Sequence, residues 1–279
     1  GLSLYDAVLH AFSTMGTGGF STRSASVGAF GNPGAEWVLS ALMVLASINF
    51  GLYYGMIKGE YKAALKDSEF RLYAGIIGGA VLVITLDINH LFVSLMESLR
   101  YALFQVTSII STTGFATYDY ESWPELSKGI ILLLTFIGAS AGSTGGGIKV
   151  VRVVILFKYL KRALYRLVHP RAVVPLRVGG KILPEETVLN VMGFISLYLV
   201  VFVFVSLILL TQGMDLISST SAAITSLSNV GPGFGMVSPA KTYAQLTGFS
   251  KMALTIAMIM GRLEIHAILV MLLPAFWKA

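Results

Sequence analysis

Apolar residues fall in long blocks along this chain, parted by short polar or glycine-rich stretches. The first block, 37–57, holds 21 residues. It predicts a helix able to cross a hydrocarbon core of ~30 Å at about 1.5 Å per residue. A second span covers 72–88, where Gly75, Gly78 and Gly79 predict a small-residue packing face. Residues 187–210 predict a third, rich in Val, Phe and Leu. Two further apolar segments follow: 126–160, interrupted by the glycine-rich run 138–147, and 247–277, a long segment with Arg262, Glu264 and His266 near its middle. Two weaker amphipathic runs, 91–111 and 215–228, lie between the blocks. Glu97 and Arg100 make the first too polar to face lipid, so it predicts a re-entrant helix, and the second predicts the same.

Each amphipathic run ends in a variant of one loop. The three read STMGTGGFST at 13–22, SIISTTGFAT at 108–117 and TSLSNVGPGF at 225–234, and the first two agree at five of ten positions. Backbone that leaves helical geometry in a bilayer must be buried in protein or line a wet cavity. A Thr-before-Gly loop repeated about an axis can turn carbonyl oxygens inward, which is the chemistry of a cation selectivity filter. Glycine tolerates the positive φ this needs, and a helix ending at the loop points partial negative charge at the pore. A lone Thr-Gly-Gly reads equally well as a flexible turn; three loops in one context strengthen the filter reading. The repeating unit is span, re-entrant helix, loop, span. It is whole over 72–160 and 187–277 and lacks its first part in 1–57. Thr17, Thr112 and Asn229 are 95 and 117 residues apart, too far for a solenoid and suited to a pseudo-symmetric membrane assembly. The predicted fold class is an all-α polytopic membrane protein of channel-like repeats.

Composition agrees. Of 279 residues, 55% are hydrophobic and 12% charged, against about 25% charged in a soluble domain. Without cysteine there is no disulfide, thiolate metal site or thiol nucleophile, and the four histidines form no ligand-spaced pair. The net charge of +6 does not indicate nucleic acid, because residues 149–181 hold nine Lys or Arg and no acid. Such a stretch stays cytoplasmic. The loops then enter from outside, near Asp87, Asp119, Glu121, Glu125 and Asp215. Those acids read either as a cation-concentrating vestibule or as ordinary loop residues. Residue 1 is Gly and the chain opens inside an amphipathic segment without a signal peptide, so a fragment or processed chain is expected.

On these loops the chain resembles the Trk/Ktr/HKT superfamily of potassium transporters, most closely its bacterial uptake subunits, over essentially its whole length. The resemblance implies four fused repeats of helix, re-entrant pore helix with loop, and helix around one pore. Repeat one and the first helix of repeat two are absent here. It implies second-half-of-repeat-two residues at 1–57, a cytoplasmic linker at 58–71, repeat three at 72–165, a basic linker at 166–186 and repeat four at 187–279. It implies filter residues Thr17, Gly18 and Gly19, then Thr112, Thr113 and Gly114, then Asn229, Val230 and Gly231. Potassium would be held at the first two of each set. In the third loop Pro232 replaces the aromatic. A second register sets Gly233-Phe234 against Gly19-Phe20; Gly231 is preferred because Asn229-Val230 then falls where Thr17-Gly18 does.

The run containing Gly138, Gly142, Gly145, Gly146 and Gly147 reads as a helix-packing face or as an unwound stretch. A phosphate loop is excluded, since Gly147-Ile148-Lys149 lacks the required ending. Glycine costs a helix ~1 kcal/mol each against Ala, and the resemblance implies an intramembrane gating loop. Arg262, amid an apolar segment, reads as a structural ion pair or as a residue facing the pore; the resemblance implies a helix-borne Arg at the gate. It further implies a homodimer, a cytosolic nucleotide-binding ring of the TrkA type, a bacterial inner-membrane location and potassium as transported ion, with no cofactor. The residues themselves leave two functions open: potassium uptake, or secondary transport of another solute or sodium through broken helices. An enzyme is disfavoured, because no nucleophile–base pair or metal cluster is visible.

Overall fold

The computed structural model describes residues 2–271 and 273–278. Gly1, with which the amphipathic opening begins, lies outside them, as do Leu272 and Ala279 of the last segment. In chain order the helices are α1 (Leu4–Met15), α2 (Pro33–Ala46), α3 (Phe50–Ile57), α4 (Tyr61–Lys66), α5 (Ser68–Ile88) and α6 (Leu95–Ile110), then α7 (Glu125–Phe136), α8 (Val150–Val168), α9 (Glu185–Thr211), α10 (Leu216–Leu227), α11 (Gly248–Arg262) and α12 (Ile265–Met271). A small hairpin pairs Arg177–Val178 with Lys181–Ile182 before α9.

The re-entrant helices are α1, α6 and α10, and each is started by a polar N-cap. Ser3 accepts from the Asp6 N–H, Ser94 from the Glu97 N–H and Asp215 from the Ser218 N–H. Each such side chain satisfies one orphan donor of its helix. The Ser218 hydrogen bonds hold the Asp215 carboxyl below its ordinary value, so this cap stays charged. Helices α6 and α10 are enclosed almost all round: Ala102, Phe104, Val106, Ile109 and Ile110 are buried, as are Ala222, Ala223, Ile224 and Leu227. Their polar residues are buried with them, which explains why both segments look too polar for lipid.

Among the described residues two helices are long and apolar enough to cross a membrane unbroken, α5 with its extension to Leu91 and α9. The segments 37–57 and 247–277, expected as continuous, are not. α2 and α3 meet at 90°, and α11 and α12 at 111°. At the first bend the Ser47 hydroxyl donates back to the Val44 carbonyl at 3.1 Å, drawing it out of the helical ladder. Asn49 caps α3 by accepting from the Gly51 N–H at 2.8 Å. At the second bend Glu264 takes φ 62°. The segment 126–160 also breaks, over 137–149 between α7 and α8. Each helix that follows a loop is therefore interrupted at mid-course.

The glycines of α5 do not pack as expected. A Cβ at Gly75, Gly78 or Gly79 would meet nothing within 4 Å. The close approach falls elsewhere: a Cβ at Gly261 would overlap the Leu227 carbonyl oxygen, where α11 crosses the end of α10. Gly261→Ala is expected to destabilise the detergent-solubilised protein by ~1–3 kcal/mol through overpacking, despite the better helix propensity of Ala. Gly78→Ala is expected to leave the melting temperature unchanged or raised. Thermal melts of the two variants check both.

Candidate functional site: three helix-capping loops and a glycine loop

The three re-entrant helices end in the same way. Thr17 donates its N–H to the Thr14 carbonyl at 3.1 Å, and Gly18 to Ser13 at 2.7 Å. Thr112 donates to Ile109 at 3.0 Å and Thr113 to Ser108 at 3.0 Å; Asn229 donates to Ser226 at 3.0 Å and Val230 to Thr225 at 2.8 Å. This is the Schellman pattern, in which a left-handed residue just past the helix lets two N–H groups turn back to the last carbonyls. Glycine normally occupies that position. Here it is Thr17 (φ 49°), Thr112 (φ 58°) and Asn229 (φ 59°). Left-handed geometry costs a side-chain-bearing residue roughly 1–2 kcal/mol, less for Asn, and for β-branched Thr it is a true outlier.

The side chains at these positions offset that strain. Thr17 donates its hydroxyl to the Thr144 carbonyl at 3.1 Å. Thr112 accepts from the Gly146 N–H at 2.7 Å. Asn229 donates to the Met258 carbonyl at 3.1 Å. Two of the three thus bind the glycine loop directly.

Two residues further on the backbone turns left-handed again, at Gly19 (φ 69°), Gly114 (φ 83°) and Gly231 (φ 103°). Gly233 is not among the positive-φ residues, so Gly231, not Gly233, occupies the geometry of the other two. These glycines set how the loops abut. A Cβ at Gly19 would overlap the Thr113 carbonyl oxygen, and one at Gly114 the Val230 carbonyl oxygen. A Cβ at Gly231 would meet nothing within 4 Å. The loops therefore follow one another around an axis, and the ring is open after the third. The aromatics show the same opening: Phe115 is buried among Val27, Leu39, Met43 and Phe104, whereas Phe20 is 81% exposed. A groove of about 520 Å³ runs along the open side, from Lys241 past Gly18, Gly114 and Val230 to Arg262.

Beneath the loops, 138–147 is an unwound crossing held from both sides. Its stems pair where Gly138 donates to Ile148 at 2.8 Å and Ile148 to Phe136 at 3.2 Å; a Cβ at Gly138 would overlap the Gly146 carbonyl. At the α2–α3 bend, Ser140 donates to the Ser47 carbonyl at 3.0 Å, Phe50 donates to the Gly142 carbonyl at 3.1 Å and the Thr144 hydroxyl to Ala46 at 3.1 Å. Gly145 lies tight against Ser111 and Thr112, and Gly146 against Ser228. Gly142 and Gly147 supply left-handed turns, at φ 70° and 68°. At the other end Arg262 donates from Nη1 to the Thr144 carbonyl at 2.9 Å, so that oxygen serves both Thr17 and Arg262. Lys149 Nζ donates to the Gly145 carbonyl. A second cavity of about 300 Å³ lies below the crossing, lined by Ser143, Lys149, Arg152, Arg262 and Glu264. Arg262 lines both cavities, and residues 143–147 of the loop line the second.

Several expected roles fall to structure. Asp87 accepts from the Ser127 N–H and hydroxyl at 3.1 and 2.6 Å. Asp119 caps a turn at Glu121, Glu121 itself accepts from Gly235 at 2.9 Å, and Glu125 pairs with Lys128 at 2.6 Å. With Asp215 at its cap, each acid near the loops is engaged in the fold. Glu264 holds Arg152 with both carboxylate oxygens at 2.8 Å, which leaves Arg262 to the loop. Glu69 was missed: it lies in a polar linker by sequence, yet it is buried and accepts from Ala141 and Val151. Nothing local marks it, because its partners are backbone groups 72 and 82 residues away.

Broken membrane helices, re-entrant helices with matching caps and a loop laid against them define a polytopic membrane protein of channel-like architecture. Comparison with known proteins agrees. Residues 1–278 match the family described as TrkH, cation transport protein, and the chain belongs to that family. It is 38% identical over 281 residues to the Trk system potassium uptake protein TrkH of Salmonella typhimurium strain LT2, covering 100% of this chain and 58% of the relative. It is 36% identical to the Trk system potassium uptake protein TrkG of Escherichia coli strain K12, with the same coverage. The crystal structure of the potassium transporter TrkH from Vibrio parahaemolyticus superposes with a TM-score of 0.93 at 39% identity, over 99% of this chain and 60% of that one. The chain thus spans a little under three fifths of the curated relatives it matches.

Thr112→Val keeps the β-branch and removes the hydroxyl that accepts from Gly146. It is expected to cost ~1–3 kcal/mol, the penalty for a buried N–H without a partner. Thr112→Ser keeps the acceptor and is expected to melt within a few degrees of the parent. Thermal denaturation in detergent separates the two.

Proposed function

We propose that this chain builds most of the wall of a potassium-uptake pore in the bacterial inner membrane, with transport rather than catalysis as its role. The observation that carries the reading is the successive abutment of the three loops, Gly19 and Gly114 each seated against the next loop's carbonyl and the series open at Gly231. A fourth loop of the same kind, from a repeat preceding this chain, would close it. Several oxygens presented together can replace the water of a dehydrated cation. The sites fall to Thr17 and Gly18, Thr112 and Thr113, and Asn229 and Val230, with Gly19, Gly114 and Gly231 setting carbonyl direction. Repeats two (1–57), three (72–165) and four (187–279) each supply one loop, joined by linkers at 58–71 and 166–186. The membrane potential supplies ~2.3 kcal/mol per charge per 100 mV for inward movement.

The glycine loop is the gate in this reading. It walls the lower cavity, and Arg262, which lines both cavities, pins it and opposes a cation by charge. The exposed Lys158, Lys161 and Arg166 of α8 offer a docking face for a cytosolic nucleotide-binding ring of the TrkA type. Arg162 is not part of it, since it is buried against Glu185 at 2.7 and 2.8 Å. A homodimer of pore subunits completes the assembly. The competing reading, a secondary transporter for sodium or another solute, draws on the three interrupted helices. Against it, the charged residues that line the 520 Å³ groove are Lys241 and Arg262, and ion coupling calls for a carboxylate there.

The filter is tested by flux of potassium, rubidium and sodium through the full-length protein in proteoliposomes. Gly114→Ser must push its side chain into the Val230 carbonyl from a φ of 83°, so potassium-over-sodium preference is expected to fall about tenfold while yield falls less. An unchanged ion ratio sinks the assignment. The gate is tested by Arg262→Ala, a deletion within 140–145, and both together. Each change alone is expected to raise flux severalfold, and the pair to add little, because both act on one element. Strictly additive effects, or lost flux with intact expression in Arg262→Ala, would make Arg262 a packing residue.

A further inference from the structure

We propose that Glu69 is the latch of the glycine loop, a positioning residue that holds the crossing in place through backbone hydrogen bonds; the proposal rests on the gate reading above. Glu69 stands in the first turn of α5 and is 7% exposed. Its Oε1 accepts from the Ala141 N–H at 2.7 Å and from the Val151 N–H at 3.0 Å. These donors belong to different bodies. Ala141 is inside the loop, and Val151 is in the first turn of α8. α8 begins at Lys149 with no side-chain cap of its own, so Glu69 caps it from another helix. The carboxylate sits at the positive ends of α5 and α8 together, where negative charge is favoured. Hydrogen bonds to an ionised acceptor are roughly twice as strong as neutral ones.

The loop's ties to Ser47, Ala46 and Thr112 are neutral and reach single points of it. Glu69 differs because one side-chain oxygen on α5 holds both the loop and the first turn of α8, beside the direct ties of α8 to the loop from the Val150 N–H to the Ala139 carbonyl at 3.2 Å and from Lys149 to Gly145. The helix α8 carries the exposed basic face, including Lys158 and Lys161, so a pull that moves α8 and the loop together must break this carboxylate's hold on α5. Moving α8 away from α5 costs both hydrogen bonds together and leaves a buried carboxylate unpaired. That makes the latch two-state, held or released.

The chain contains no cysteine, so Ser143→Cys, in the wall of the lower cavity, gives a clean reporter once cysteines elsewhere in the full-length protein are replaced. Methanethiosulfonate labelling of this thiol is compared among the parent, Glu69→Ala, Glu69→Asp and Glu69→Gln, with potassium flux measured in parallel. Glu69→Ala is expected to label at least fivefold faster. Glu69→Asp, one methylene too short for both N–H groups, is expected to do the same and covers the case in which the Ala variant does not fold. Glu69→Gln keeps an oxygen in place but loses the charge, and is expected to label faster than the parent and more slowly than either shortened variant. Parental labelling in Ala and Asp, or Gln as fast as the shortened variants, overturns the latch. Faster labelling with unchanged flux keeps the latch and overturns the gate.

Discussion

Backbone that abandons helical geometry inside a bilayer has no water to satisfy it, and the centre of this protein is built around that constraint. Three re-entrant helices and one crossing loop bring helix ends and unwound backbone together, and these groups find partners in their own turns or in a neighbouring segment. The helix ends are closed by their own Schellman turns. The loop is closed by the Ser47 carbonyl on one side, by Thr17 and Arg262 at the Thr144 carbonyl, and by Thr112 and Glu69 at its N–H groups. Interruption of each helix following a loop supplies the freed carbonyls and caps that make this exchange possible.

The same constraint accounts for the residue types. Threonine in a left-handed position is a poor choice for a helix end, yet Thr17 and Thr112 are both there. A glycine would fit the backbone better but would leave Gly146 without its acceptor and the Thr144 carbonyl without one of its donors. The strain is retained because the hydroxyl reaches the loop, consistent with strained backbone gathering at functional sites. One position class, just past a re-entrant helix, thereby joins the first two loops to the crossing.

Much of this was legible in the chain. The recurrence of Thr or Asn two residues before a glycine marked the three loops, and the φ angles set Gly231, not Gly233, in line with Gly19 and Gly114. The glycine density of 138–147 marked the unwound crossing, since five such residues cannot sit cheaply in a helix. The bends at Ser47–Asn49 and at Glu264 were not legible. A lone Ser, Asn or Glu inside an apolar run is compatible with an unbroken helix, and tertiary contacts decide. The acids near the loops stayed open between a vestibule and ordinary loop residues because their partners, such as Ser127 for Asp87 and Gly235 for Glu121, lie 40 and 114 residues away. Glu69 was hidden for the same reason. The glycines of α5 misled in the opposite direction: their spacing matches a packing face, but no neighbour in this chain occupies it.

The central claim is that the three loops present their carbonyls to one dehydrated cation on a shared axis. Anomalous diffraction from crystals of the full-length protein grown in rubidium tests it most directly. The account predicts an anomalous peak within about 3 Å of carbonyl oxygens drawn from Thr17, Thr112 and Asn229 or the residues after them, at coordination distances expected for a filter. A filter region empty of rubidium, with the ion instead beside the carboxylates of Asp119 or Glu121, would contradict it.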